Sequence, residues 1–387
     1  MDDWVARCSH QIGRRAEREL EALVGVSSPS GDERGAEECA AVCAALLPDT
    51  AALERVPCSS PAHAPDMVAR IPGAGTRRIL LLGHLDTVVA HTAHRPLERV
   101  GDKLVGSGTV DMKGGVVLSL GVMRALASRT EDYAEVALLL VCDEEWRTAP
   151  FGHVERFAGF DACLCFEGGA RTPAGDDGVV VRRKAAGTLR VRAEGRASHS
   201  GSAPDRGRNA LLALAAAAQA VAGCHDPEGP DRLTAVPTVL HSGDAFNVVP
   251  GDGELISDMR ADSSDAFQRV VDAIPAEVGG ATLHPGMLRL WPGMNSTEPT
   301  APLLAAAAAA LGRPVIGMPR GGASDASHFA GSIPLTVDGL GPRGGAAHNP
   351  EEYIVADSLE SRAALALALA SAAINLEPPI IVDESAS

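Results

Sequence analysis

The stretch RILLLGHLDT, residues 78–87, decides the reading of the fold. Ile79 to Leu82 are apolar without alternation, which suits a strand covered on both faces by helices. The run ends in Gly83-His84-Leu85-Asp86-Thr87, at the kind of strand end where open α/β sheets place their sites. Working outward, further strands are expected at DMVARI (66–71), VALLLVC (136–142) and ACLCF (162–166), with helices over 33–47 and from Lys113 to Ser128. Such alternation between Ala16 and Arg190 predicts an α/β fold, a largely parallel sheet flanked by helices.

Between 186 and 293 the rhythm changes. Strand LRVRAEG (189–195), an Ala/Leu-rich helix over 205–223, strands TAVPTVLHSG (234–243) and DGELISDMR (252–260), a helix over 263–275 and a strand near 281–284 follow in turn. That order, β-α-β-β-α-β, is ferredoxin-like α+β. Residues 294–387 return to α/β texture, with a helix over 300–311, strand IPLTVDG (333–339) and a closing helix over 357–375. The expectation is a catalytic domain built from 1–185 and 294–387 and interrupted by an inserted domain, 186–293. The tail PPIIVDESAS (378–387) is expected to be loose.

Composition narrows the function classes. A chain of 387 residues exceeds the usual single core. Aromatic residues make up only 3%, so helix packing must rest on Ala, Leu and Val. A net charge of −16 offers no basic face to a nucleic acid and favours solubility. The first twenty residues lack an apolar core of signal-peptide length, and the Ala-rich stretches 211–222 and 303–311 are too short to cross a bilayer. Eight cysteines without a C-x-x-C pair read as reduced thiols in a cytoplasmic protein. Cys39 and Cys43, four apart on a helix, read as packed thiols rather than metal ligands.

Acids and imidazoles cluster at strand ends. In extended chain His84 and Asp86 point the same way, and a carboxylate beside an imidazole fixes its tautomer as in metal-bound histidines; alone, His84 is as readily a strand cap. Asp111 opens a helix after the Gly-rich Gly106-Ser107-Gly108, where it is either an N-cap or a carboxylate bridging two cations. Asp143-Glu144-Glu145 at the end of VALLLVC, with Glu167 at the end of ACLCF, is either a solvated turn or a cation site, because clustered acids are costly otherwise. His348 stands in Gly344-Gly345-Ala346-Ala347-His348-Asn349-Pro350, before the last helix.

The segments G-H-L-D-T-V, G-x-x-D-M-K-G-G, D-E-E, F-E and A-H-N-P-E-E-Y, in this order over residues 80–353, resemble the co-catalytic di-zinc metallopeptidase family. That family includes glutamate carboxypeptidases, acetylornithine deacetylases, succinyl-diaminopimelate desuccinylases and aminoacylases. The resemblance implies two Zn²⁺ per chain, with Co²⁺ or Mn²⁺ as substitutes: His84, Asp111 and Glu167 on one, Asp111, Glu145 and His348 on the other. It further implies Glu144 as general base and Asp86 as the group orienting His84. Gly195-Arg196-Ala197-Ser198-His199-Ser200-Gly201 looks like the family's lid signature, whose His reaches an oxyanion site, in dimeric members from the other subunit. Asn247 and Arg260 resemble lid positions that contact the substrate carboxylate or carbonyl; Arg260 read by itself equally ties strands together. Arg320 and Gly322 lie in a Gly-rich segment near the family's site.

The expected activity is hydrolysis of an amide in a small amino-acid conjugate or short peptide, glutamate carboxypeptidase-like, by a homodimer joined through the inserted domain. A deacylase of the acetylornithine, acetyl-lysine or succinyl-diaminopimelate type is the alternative. So is a catalytically inactive conjugate-binding protein, which would be expected to have lost a ligand or the base. A di-metal phosphoesterase would be expected to surround its site with more Lys and Arg than these loops show.

Overall fold

The computed structural model describes residues 1–376, so the tail expected to be loose lies outside the described residues. Helix α1 (Asp3–Val24), capped by the Asp2 carboxylate on the amides of Trp4 and Val5, leads into α2 (Glu33–Leu46), capped by Asp32. Strands β1 (Ala52–Val56), β2 (Asp66–Pro72) and β3 (Arg78–His84) follow, then helix α3 (Gly114–Leu126), β4 (Glu135–Val141), β5 (Ala162–Cys165) and β6 (Asp177–Arg183). The second region comprises β7 (Ala185–Glu194), α4 (Ala210–Gly223), β8 (Thr234–His241), β9 (Asp252–Ala261), α5 (Ala266–Ala273) and β10 (Ala281–Trp291). The chain then returns through α6 (Thr297–Leu311), β11 (Val315–Arg320), β12 (Leu335–Val337) and α7 (Ser358–Asn375).

The central sheet runs β1-β2-β4-β3-β5-β12. β3 pairs parallel with β4 and β5, and β5 pairs parallel with β12. Only β2 runs against the rest, antiparallel to β1 and β4, which makes this a mixed α/β sheet of mostly parallel strands. Along β3 alternate residues part company: Ile79 and Leu81 join the core under α1, α2, α3 and α7, while Leu80 and Leu82 join a second core with Phe157, Phe160 and Phe329. The uninterrupted apolar run is thereby explained, since both faces are buried. Long helices cover only one of those faces; the other is closed by aromatic side chains and short turns, where helices on both were expected. Helix α1 was not anticipated at all. Its buried stripe of Val5, Ile12, Ala16, Leu20 and Leu23 keeps helical spacing, but the charges between those positions hide it.

In the second region all strand pairs are antiparallel, in the order β8-β9-β7-β10 with Glu277–Val278 at the far edge. Helices α4 and α5 share a core with one face of that sheet, built from Leu189, Val191, Leu214, Val221, Met259 and Phe267. Strand β10 runs well past the expected 281–284. The crossing points between the two regions are neighbours: Met294 pairs with Arg183, and Ala186 with Trp291. No helix of the described residues is long and apolar enough to cross a membrane, and all eight cysteines are free thiols.

Candidate metal centre and substrate cavity

Each acid reaches the centre from the carboxyl end of a central strand or from the loop before α3. His84 closes β3 and is 1% exposed. Its Nδ1 lies 2.9 Å from the main-chain oxygen of Asp86 and 3.4 Å from that residue's carboxylate. The tautomer is therefore set chiefly by the backbone carbonyl, leaving Nε2 as the free ring nitrogen. The Asp86 carboxylate does something else besides: it accepts the amides of Glu144 at 3.2 Å and Glu145 at 3.0 Å. One residue thus positions both the imidazole and the acidic turn after β4.

Asp111 sits in a kinked turn, Thr109–Lys113, between the Gly-rich loop and α3. The turn is held by Glu352, whose carboxylate accepts the amides of Gly108, Val110 and Asp111. Asp111 Oδ1 lies 3.1 Å from His84 Nε2, and its Oδ2 lies 3.1 Å from His348 Nε2. His84 Nε2 is also 3.7 Å from Glu167, and His348 Nε2 is 3.3 Å from Glu145. Two groups result, His84-Asp111-Glu167 and Asp111-Glu145-His348, each with its ligand atoms mutually within 4.8 Å. His348, in a left-handed backbone conformation at φ 65°, is half exposed and closes the centre from the solvent side.

The electrostatics ask for cations. Burial, then the nearby Asp111 charge, pushes Glu167 up to about 8. Burial likewise raises Glu144 well above the usual carboxylate range, against the pull of His84. Hydrogen bonds to Asp111 and Glu145 lift His348 to about 10. Burial works to raise Asp111, but the bonds from His348 and His84 win and lower it. Glu145 Oε1 is buried with no hydrogen-bond partner. Four acids packed around two imidazoles, one oxygen orphaned, fit divalent cations held by mixed nitrogen and oxygen donors. Imidazole with carboxylate suits zinc and other first-row transition metals, whereas the hard ions Mg²⁺ and Ca²⁺ favour all-oxygen sites.

The centre opens into a cavity of about 550 Å³. Glu144, Arg260, Arg320 and Gly322 line it, as do Arg183, Thr188, Asp258, Arg289 and Trp291. Arg260 is paired with Asp258 at 3.1 Å, and the Gly322 carbonyl accepts from Arg183 at 2.7 Å. Arg320 donates to the Gly168 carbonyl. His199 and Asn247 are not brought to this cavity. They occupy adjacent exposed turns, where Ser198–His199 pairs with Val248–Val249 and the Ser200 amide donates to the Asn247 carbonyl. Four arginines line the cavity, the expected Arg260 and Arg320 with Arg183 and Arg289 beside them. Arg183 and Arg289 come from strands rather than from the loops that the sequence brought forward. The one signal for Arg183 was a pair of arginines ending the apolar run VVVRR; nothing local marked Arg289.

Arg147 was also missed. It is 4% exposed, binds Asp143 at 2.9 Å and Asp325 through both terminal nitrogens, and lies over the rings of Phe151 and Trp291. It ties the turn carrying Glu144 and Glu145 to the Gly-rich loop 321–325.

Residues 80–372 match the model of peptidase family M20/M25/M40. The chain is 26% identical over 368 residues to carboxypeptidase G2 of Pseudomonas sp. (strain RS-16), covering 90% of this chain and 87% of that protein. It is 27% identical over 313 residues to succinyl-diaminopimelate desuccinylase of Stenotrophomonas maltophilia (strain R551-3), covering 75% and 82%. Among solved structures, aminopeptidase PepT from Bacillus cereus superposes with a TM-score of 0.74 at 20% identity, covering 93% of this chain and 98% of that one; that likeness speaks to the fold.

Proposed function

The chain belongs to peptidase family M20/M25/M40 and is an enzyme of the hydrolase class, and from that premise we propose that it is a zinc-dependent amide hydrolase acting on small amino-acid conjugates. The observation that carries the reading is the fork of Asp111, one oxygen toward His84 and the other toward His348, both at 3.1 Å. His84, Asp111 and Glu167 would hold one Zn²⁺, and Asp111, Glu145 and His348 a second. Two such ions supply the charge that acidifies a water and polarises an amide carbonyl.

The chain's own residues do the rest. Glu144, beside both groups and facing the cavity, takes the proton of the attacking water on its carboxylate and returns it to the leaving nitrogen. Asp86 keeps the His84 ring and the Glu144-Glu145 turn in register. Arg260 offers a guanidinium fork to a substrate carboxylate once its bond to Asp258 is exchanged. Of the two relatives named, a carboxypeptidase is similar over more of this chain than a desuccinylase. Release of a C-terminal amino acid such as glutamate is therefore placed ahead of deacylation.

The region 186–293 serves in this reading as an inserted lid that also joins two chains. Leu211, Leu212, Phe246 and Val248 are exposed apolar side chains around the turns bearing His199 and Asn247, and a second copy of the chain is the occupant proposed for them. Across that contact His199 would donate to the oxyanion of the neighbouring site. Eight free thiols fit a reducing cytoplasm.

The test is metal content together with hydrolysis of N-acyl-glutamate, a dipeptide ending in glutamate, N-acetyl-ornithine and N-succinyl-diaminopimelate, for the native chain and Glu144→Gln. About two zinc ions per chain and a fall in kcat of about 10²–10⁴ in the variant, with zinc retained, are expected. A zinc-loaded native chain that cleaves none of the amides would overturn the reading.

A further inference from the structure

The short strand Ala170–Arg171 pairs antiparallel with the start of β6, which sets Arg171 directly opposite Asp177. Cross-strand partners share a face. On the other edge β11 runs parallel to β6, with Val315 opposite the same aspartate, and Arg313, just beyond α6, pairs with the Asp177 carboxylate. Arg343 lies 3.4 Å from that carboxylate and Arg362 lies 3.6 Å from it. Arg313 and Arg343 also converge on Ser361, one donating to its carbonyl at 3.3 Å and the other to its hydroxyl at 3.4 Å.

Four guanidinium groups thus gather around one buried carboxylate, on a chain whose net charge is −16. Arg362 is wholly buried and donates to the carbonyls of Gly178, Gly339 and Gly341, so it adds charge to the cluster while its hydrogens are already placed. Arg171 is exposed and has neither an ion pair nor a side-chain hydrogen bond among the described residues. The cations press on one another. Burial, then the Arg171 charge, lowers Arg313; burial, then Arg171 and Arg313, lowers Arg343, with Asp357 opposing least of all. Burial, then Arg343 and Arg313, brings Arg362 down to about 9. None of the four lines the catalytic cavity. Arg313 and Ser361 border a separate recess of about 580 Å³.

We propose that Arg171, Arg313 and Arg343 form a binding site for a phosphate group, free or as a monoester, outside the catalytic cavity. A single carboxylate would leave most of the surplus charge unmatched. A phosphate brings about two negative charges and oxygens enough to accept from several guanidinium groups at once.

Calorimetry on the zinc-loaded full chain, with inorganic phosphate and with glycerol 3-phosphate, tests the site. Zinc also binds phosphate, so the readout is the difference made by Arg171→Gln, a change at an exposed side chain with no partner to lose. At least one of the two ligands is expected to bind the native chain. Arg171→Gln should weaken that binding about tenfold or more, with Arg171→Lys keeping part of it. The tighter ligand then names the source, free ion or ester. Equal affinities in the native chain and Arg171→Gln would put phosphate at the metal centre alone and overturn the site. Absence of binding by both ligands up to about 10 mM would overturn it as well.

Discussion

His328 lies stacked on Phe151 with ring centroids 4.6 Å apart, its Nε2 buried without a partner. Burial, helped by the nearby Arg147 charge and opposed by Asp325, lowers it from 6.5 to about 4. The unfolded chain binds a proton on this residue near pH 6.5 and the folded chain only near pH 4. Its contribution is therefore complete above pH 6.5 and is lost as the pH falls toward 4, by about 3 kcal/mol at most. His328→Phe, which keeps the stacking and removes the titration, should flatten urea-unfolding stability over that interval; equal slopes in variant and native chain would refute the assignment. Arg147 gives a second prediction at this scale. Removing it leaves Asp143 and Asp325 buried and unpaired, so Arg147→Met should cost about 3–5 kcal/mol of unfolding free energy, with Arg147→Lys recovering part. The contrast between these residues and the metal centre shows what sequence could yield. His84, Asp111, Glu144, Glu145 and Glu167 each stand at the end of an apolar run or in a Gly-rich loop, and those signals are local. Arg289 gains meaning from Thr188, and Arg147, beyond its local pair with Asp143, from Asp325, each partner more than a hundred positions away.

Among the helices, α3 begins beside the site. A Cβ on Gly115 would stand 1.8 Å from the main-chain oxygen of Phe166, the residue before Glu167. The first turn of the helix and the residue after β5 are in close contact, four residues after Asp111 and one before Glu167. Gly115→Ala should force them apart, weakening zinc binding about 10–100-fold, as expected when a supporting contact of a metal ligand is lost. Stability should fall by about 1–3 kcal/mol. Gly223→Ala, in the last turn of α4 with nothing within 4 Å of the added carbon, should change stability by about 1 kcal/mol or less. Competition with a chelator and thermal unfolding measure both effects, and equal behaviour of the two variants would remove the argument. The sequence placed α3 to within two residues of its ends because it follows a glycine cluster and is apolar almost throughout. It missed α1, whose apolar stripe is thinned by charges, and it cut β10 short, because exposed strand residues from His284 to Leu288 carry no burial pattern to read.

At the scale of the whole molecule, the proposed pairing of chains makes a prediction that no single chain can satisfy. His199→Ala and Glu144→Gln should each be nearly inactive. Mixed and allowed to exchange, they should regain about a quarter of native activity, because half of the resulting dimers carry one complete site. Light scattering of Phe246→Asp, which charges a wholly exposed ring, should show the mass of one chain where the native protein shows two. A native protein that is active at the mass of one chain would end the proposal. The segment bearing His199 was legible from its motif, but the second chain proposed for it was not, because a surface turn looks the same whether it faces water or a second molecule.

On the proposed division the chain would leave the metal-bearing frame near Ala185 and come back near Gly293, whose added Cβ would stand 3.5 Å from the Ala185 nitrogen. Exit and return are side by side. With that division, the sheet bearing Arg260 and Arg289 would be exchangeable as one piece, since its two ends adjoin and the strands that hold the acids need no rethreading. On the proposed reading, a change confined to that sheet would alter which substrate is held while leaving in place the acids that cleave it.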